Sequence, residues 1–98
     1  MKKVSFLFAL IVSALTLGVQ GQQRPFTVVE ATIQEMQEAM AGKRLTSRQL
    51  VEQYLIRIAI YEDRLNAALA INPKALEEAD ALDRERAQGK VRGPLHGV

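Results

Sequence analysis

Two stretches, Thr32-Ile33-Gln34-Glu35 and Thr46-Ser47-Arg48-Gln49, share one pattern: a threonine followed three residues later by Glu or Gln. In such a capping box the hydroxyl accepts from the backbone N–H of the third residue. That residue's side chain in turn accepts from the threonine N–H. Two boxes so close together commit the chain to two consecutive helices with a tight connection. On the first, Ile33, Met36, Ala39 and Met40 fall on one face at helical spacing. Gly42 reads as its left-handed stop, with Lys43 and Arg44 beside the negative end of the helix dipole.

The second helix is expected to run from Thr46 to about Tyr61. Leu50, Val51, Tyr54, Leu55, Ile58, Tyr61 and Leu65 form its core-facing stripe, and Arg48, Glu52, Gln53 and Arg57 its polar face. Ile56 and Ile60 break the pattern, one above the other on the far side. They read either as isolated surface residues, which need no explanation, or as the mark of a helix covered on two sides.

Beyond a turn at Glu62-Asp63, "LNAALAIN" (65–72) is short, apolar and bounded by Asn66 and Asn72-Pro73. Length and boundaries predict a buried strand, although its alanine content argues for helix. Apolar faces on both sides suit the interior of a covered sheet, and one strand needs partners from elsewhere. A third helix follows, with Asn72 as cap and Pro73 at the first helical position. Glu77 and Glu78 lie near its start, and Arg84, Arg86 and Lys90 toward its end, as the dipole favours. Asp80 and Arg84 are spaced for an i,i+4 pair. Ala75, Leu76, Ala79 and Leu82 give it a shallow apolar face, and Gly89 ends it. Mostly helical overall, the pattern is helix, helix, strand, helix.

The front of the chain reads differently. Met1-Lys2-Lys3 precedes an apolar run from Val4 to Val19, and "QGQQR" follows. That order is the layout of a secretory signal peptide, expected over residues 1–21 with cleavage after Gly21. A stable membrane anchor fits less well: a spanning helix takes about 20 apolar residues, and this run is interrupted by Ser5, Ser13 and Thr16. Without cysteine the chain is no lipoprotein. Lys2 and Lys3 alone make the 13 basic residues exceed the 11 acidic ones. The chain after the leader is therefore neutral and mixed in charge, and gives no reason to expect a nucleic-acid partner. Residues 22–31, with Pro25 barring a helix, form an extended lead-in. Small exported domains usually rely on disulfides, so a cysteine-free chain of this size is expected to belong to something larger.

Catalytic patterns are sparse. One histidine and no cysteine exclude a clustered zinc site. Walker and dinucleotide glycine patterns are lacking, and so is a Gly-x-Ser-x-Gly elbow. Ser47, the one serine after the leader, stands at a helix start, where a hydroxyl is ordinary. His96, in a turn after Gly93-Pro94-Leu95, is the one candidate base. A base there would also need a nucleophile, an orienting partner and oxyanion donors, and no nucleophile is left to pair with it, so a structural or loop-packing role is expected. No catalytic, substrate-binding, metal-ligating or cofactor-binding residue is assigned, and no cofactor is expected.

"LTSRQLVEQYLIRI" (45–58), "LNAALAINPKALEEADALD" (65–83) and "GPLHGV" (93–98), in this order and spacing, resemble the N-terminal section of amidase-signature hydrolases. The likeness extends from about Thr32 to Val98. It implies an α/β fold, a mixed sheet covered by helices, of which residues 32–98 supply an incomplete N-terminal portion. It also implies hydrolysis of small-molecule carboxamides by a serine nucleophile, a second serine in a cis peptide, and a lysine that takes the proton. Backbone N–H groups of a glycine-rich segment hold the oxyanion. In the family a strand bearing the lysine follows "GPLHG", so this chain is expected to stop short of every catalytic group and to be inactive alone. The expectation is an exported amidase, periplasmic or secreted, cut before its lysine. The alternative is a small exported helical interaction module without enzymatic activity.

Overall fold

The computed structural model describes residues 24–98. The leader read at residues 1–21 lies outside them. Both capping boxes form. Helix α1 (Ile33–Ala41) starts with Glu35 N–H donating to Thr32 Oγ1 at 3.2 Å and Thr32 N–H to Glu35 Oε2 at 2.7 Å. Helix α2 (Ser47–Leu65) starts in the same way, with Gln49 N–H on Thr46 Oγ1 at 3.1 Å and Thr46 N–H on Gln49 Oε1 at 3.0 Å.

The stop of α1 lies one residue later than expected. Gly42 has φ −78°, and Lys43 carries the left-handed φ of 57°. Arg44 N–H reaches back to Ala39 O at 2.9 Å and Lys43 N–H to Met40 O at 3.1 Å, the paired bonds of a Schellman ending. Gly42 serves this turn by its size instead, since a Cβ there would stand 3.2 Å from Glu38 O.

Helix α2 also runs further than expected, through Glu62 and Asp63, neither of which interrupts a helix. It ends on Asn66, at φ 48°, whose N–H bonds Glu62 O at 2.8 Å. Asparagine is one of the few residues that visit this region readily. Glu62 closes the end by accepting from Ala68 N–H at 2.9 Å.

No strand forms at 65–72. Leu65 is the last residue of α2, and the segment after it is irregular, with Leu69 fully exposed. A strand is held by backbone bonds to a neighbour, and the described residues include no strand to supply them. The described chain is accordingly a three-helix, strand-free unit.

Helix α3 (Ala75–Ala87) begins after a turn. Asn72 does not cap the helix itself; its Oδ1 accepts from Lys74 N–H at 2.9 Å, and Pro73 lies in the turn ahead of the first helical residue. Its end is as expected. Gly89 is left-handed at φ 75°, Lys90 N–H bonds Glu85 O and Gly89 N–H bonds Arg86 O, both at 2.9 Å. Asp80 does not pair with Arg84. It turns to Arg48 on α2, 2.6 Å from Nη1.

The core lies where the lead-in, α1 and the first turn of α2 meet: Val28, Met36, Ala39, Met40, Leu45 and Leu50. Phe26 and Ala31 pack against it. Ile33, expected inside, is half exposed. Gln53, assigned to the polar face of α2, ties down the lead-in. It accepts from Val28 N–H at 3.0 Å and donates to Phe26 O at 3.1 Å. Helices α2 and α3 pack on each other, and Ala79 is the buried contact on α3. The stripe of α2 is buried only at its start. Tyr54, Tyr61 and Leu65 are exposed, and so are Ile56 and Ile60 on the other side. Leu55 and Ile58 of the same stripe are half-buried, so beyond its first turns the helix is covered only in part.

Candidate functional site

The polar groups of the molecule converge where the 92–98 loop is seated, at the junction of α1, α2 and α3. The junction is built from the start of α2. Its first N–H groups have no partner within the helix, and a carboxylate from another helix supplies one. Asp83 on α3 accepts from Ser47 N–H at 2.7 Å and from Arg48 N–H at 3.1 Å. Arg48 extends the link, pairing with Asp80 and, at 3.0 Å, with Glu52. The Asp80 charge, foremost, holds the Arg48 guanidinium above its ordinary range.

Ser47 is fully buried, and its hydroxyl lies 3.5 Å from Met40 Sδ. Gly97 packs directly upon it at φ 80°; a Cβ on Gly97 would fall 2.0 Å from Ser47 Oγ. Glycine is therefore required twice, by conformation and by contact.

His96 is buried as well. Its Nδ1 accepts from Arg92 N–H at 3.2 Å, and its Nε2 lies 2.9 Å from Leu82 O. Both contacts assign the neutral tautomer with the proton on Nε2, because Nδ1 faces a donor and Nε2 an acceptor. The His96 carbonyl accepts from Gln37 Nε2 on α1 and Arg86 Nη2 on α3, each at 3.0 Å. Arg86 Nη2 also donates to Gln37 Oε1 at 2.8 Å, while its Nε is buried without a partner. Outside this cluster Arg92 clasps Glu85 through Nε and Nη2. The hydrogen bond from Arg92 lowers the Glu85 carboxyl below its ordinary range, and the same bond raises Arg92.

In this arrangement the side chains hold backbone groups in place. His96 faces two backbone groups, and Ser47, the sole serine among the described residues, points at a thioether. Among the described residues no three His, Asp or Glu side chains are grouped to hold a metal ion. Several clefts open at the described surface, among them one of about 350 Å³ beside this junction, between Met40, Thr46, Asp83 and Arg86. Another of about 400 Å³ lies beside the lead-in, lined by Arg24, Phe26, Glu30 and Arg44. A third of about 300 Å³ lies along the exposed end of α2, lined by Tyr54, Ile58, Tyr61 and Leu65. Neither of the last two joins a nucleophile to a base. Sequence reasoning singled out His96 and Ser47 but missed Gln37, Asp83 and Arg86. These act across gaps of 35 to 59 residues, and no local pattern encodes such distances.

Comparison with known proteins now bears on this junction. Residues 49–98 match the protein family described as Amidase. The chain belongs to the amidase family. It is 41% identical over 92 residues to a probable amidase of Arabidopsis thaliana, covering 92% of this chain and 18% of that protein. A Schizosaccharomyces pombe protein with an amidase name is 43% identical over 72 residues, 74% of this chain and 12% of its own length. A glutamyl-tRNA(Gln) amidotransferase chain of Bdellovibrio bacteriovorus is 34% identical over 68 residues, 69% of this chain and 14% of its own length. The chain thus spans less than a fifth of each of these relatives. No solved structure matches. The family match takes in all of α3 and the seated loop, so Asp83, Arg86 and His96 lie inside it, while their partners Gln37, Ser47 and Arg48 lie ahead of it.

Proposed function

We propose that residues 24–98 are the helical N-terminal section of an exported enzyme that hydrolyses small-molecule carboxamides, and that its catalytic groups lie beyond Val98. The family match over 49–98 carries this reading. It is supported by the end of α2, where Tyr54, Ile58, Tyr61 and Leu65 line one apolar cleft and Tyr54, Tyr61 and Leu65 are exposed. Single exposed apolar residues are ordinary, but a contiguous set marks a surface that more protein covers. The basic start and apolar run at Lys2 to Val19 support export.

In this reading the described residues do not touch substrate. The chemistry implied by the resemblance is attack of a serine oxygen on the amide carbon, with a lysine taking the serine proton. Backbone N–H groups stabilise the oxyanion, and the amine leaves with a proton before water releases the acid. The 92–98 loop delivers the chain to the segment that supplies that lysine.

A serine-directed fluorophosphonate tests the assignment. Applied to the product of the continuous reading frame, it is expected to label a serine outside residues 24–98, located by peptide mapping. A label on Ser47, or none on any serine, would overturn it.

A further inference from the structure

We propose that His96 is a pH-sensitive clasp. As the neutral ring protonated at Nε2 it closes the 92–96 turn, and a second proton on Nδ1 opens that turn. The basis is the Nδ1 contact. Arg92 N–H donates to it at 3.2 Å, and a backbone N–H can only donate. Adding a proton to Nδ1 sets two donors against each other in a buried site, which removes the bond and strands both groups. The other contacts of His96 survive the change. Nε2 still donates to Leu82 O, and the carbonyl still accepts from Gln37 and Arg86. Protonation therefore acts on one bond, at the base of the loop, and leaves the rest of the seat in place. Every contact of the clasp lies within the described residues.

Charges around the ring come from α3 and the loop. They are Glu85 and Arg86, the latter on the His96 carbonyl, and Arg92, whose guanidinium is clasped to Glu85. Helix α1 presents the neutral Gln37, and α2 the neutral Ser47 beneath Gly97. Because Arg92 keeps the Glu85 carboxyl low, that ion pair remains charged through the histidine range of about pH 5 to 8. Any opening in this window belongs to His96, the single histidine of the chain.

Nitrogen-15 NMR of the 98-residue chain and amide exchange at Arg92 give the test. At about pH 8 the wild-type ring is expected to show a proton on Nε2 and none on Nδ1, with Arg92 N–H protected. At about pH 5 that protection, referred to the unstructured rate at each pH, should fall about tenfold while Leu50 N–H in α2 keeps its own. In His96→Asn, whose Oδ1 stands in for Nδ1 and does not titrate, Arg92 protection should be equal at both pH values. A proton on Nδ1 at about pH 8, an unchanged wild-type Arg92, or an Asn variant with the wild-type loss would each overturn the clasp. The wild-type tautomer and the wild-type change in Arg92 protection together test the clasp even if the variant fails to fold.

Discussion

A side chain at position 97 meets Ser47, whereas one at position 89 meets open space. Both residues are left-handed glycines, at φ 80° and 75°, so an asparagine, which tolerates that region, separates conformation from contact. At Gly89 nothing lies within 4 Å of the position a Cβ would take, while at Gly97 Ser47 Oγ is 2.0 Å away. Gly89→Asn is expected to leave thermal stability within about 0.5 kcal/mol. Gly97→Asn should cost about 1–3 kcal/mol, in the range of overpacked sites, or unseat the loop with loss of Arg92 amide protection. Equal melting temperatures for the two variants would show that Gly97 is not held on Ser47. Neither the sign nor the size of this difference could be read from the sequence. "GPLHGV" marks a turn, but the buried serine beneath it comes from a helix start about 50 residues earlier.

At the scale of the helices, local grammar was legible and long-range use was not. The two capping boxes and the Gly89 ending depend on residues three to five apart, and they form as expected. The strand expected at 65–72 failed because its bonds had to come from a partner beyond the segment. The Asp80–Arg84 pair failed because Arg48, on a packed neighbour, offered Asp80 a closer charge. The boxes also differ in a testable way. Glu35 is held below its ordinary range, first by the Thr32 backbone hydrogen bond and then by the Thr32 hydroxyl, whereas Gln49 has no proton to gain. A carboxylate with a lowered value stabilises the fold above the ordinary range and loses that contribution as pH falls through the lowered value. Acid below about pH 4 is therefore expected to fray the start of α1, and Glu35→Gln, which gives α1 a box like that of α2, to remove this loss. Amide exchange at position 35, taken against its unstructured rate in each chain, reads this directly. An equal loss in acid for both chains would contradict it.

For the whole molecule, the balance of buried and exposed apolar surface is the informative property. Among the described residues a core of six side chains gathers around Leu50, while Ile56, Ile60, Tyr61 and Leu65 in the far half of α2 are exposed. Periodicity found the inward stripe from Leu50 to Leu65, but it could not tell which turns have a neighbour. Under the proposed function this unit is a helical frame that leads the chain toward chemistry carried elsewhere, a reading that family membership and the seated 92–98 loop support. Ammonia release from simple primary carboxamides tests that claim most directly, measured on the 98-residue chain and on the product of the reading frame continued past Val98. The account predicts release by the longer product and none above blank by the 98-residue chain. Hydrolysis by the 98-residue chain alone would contradict it.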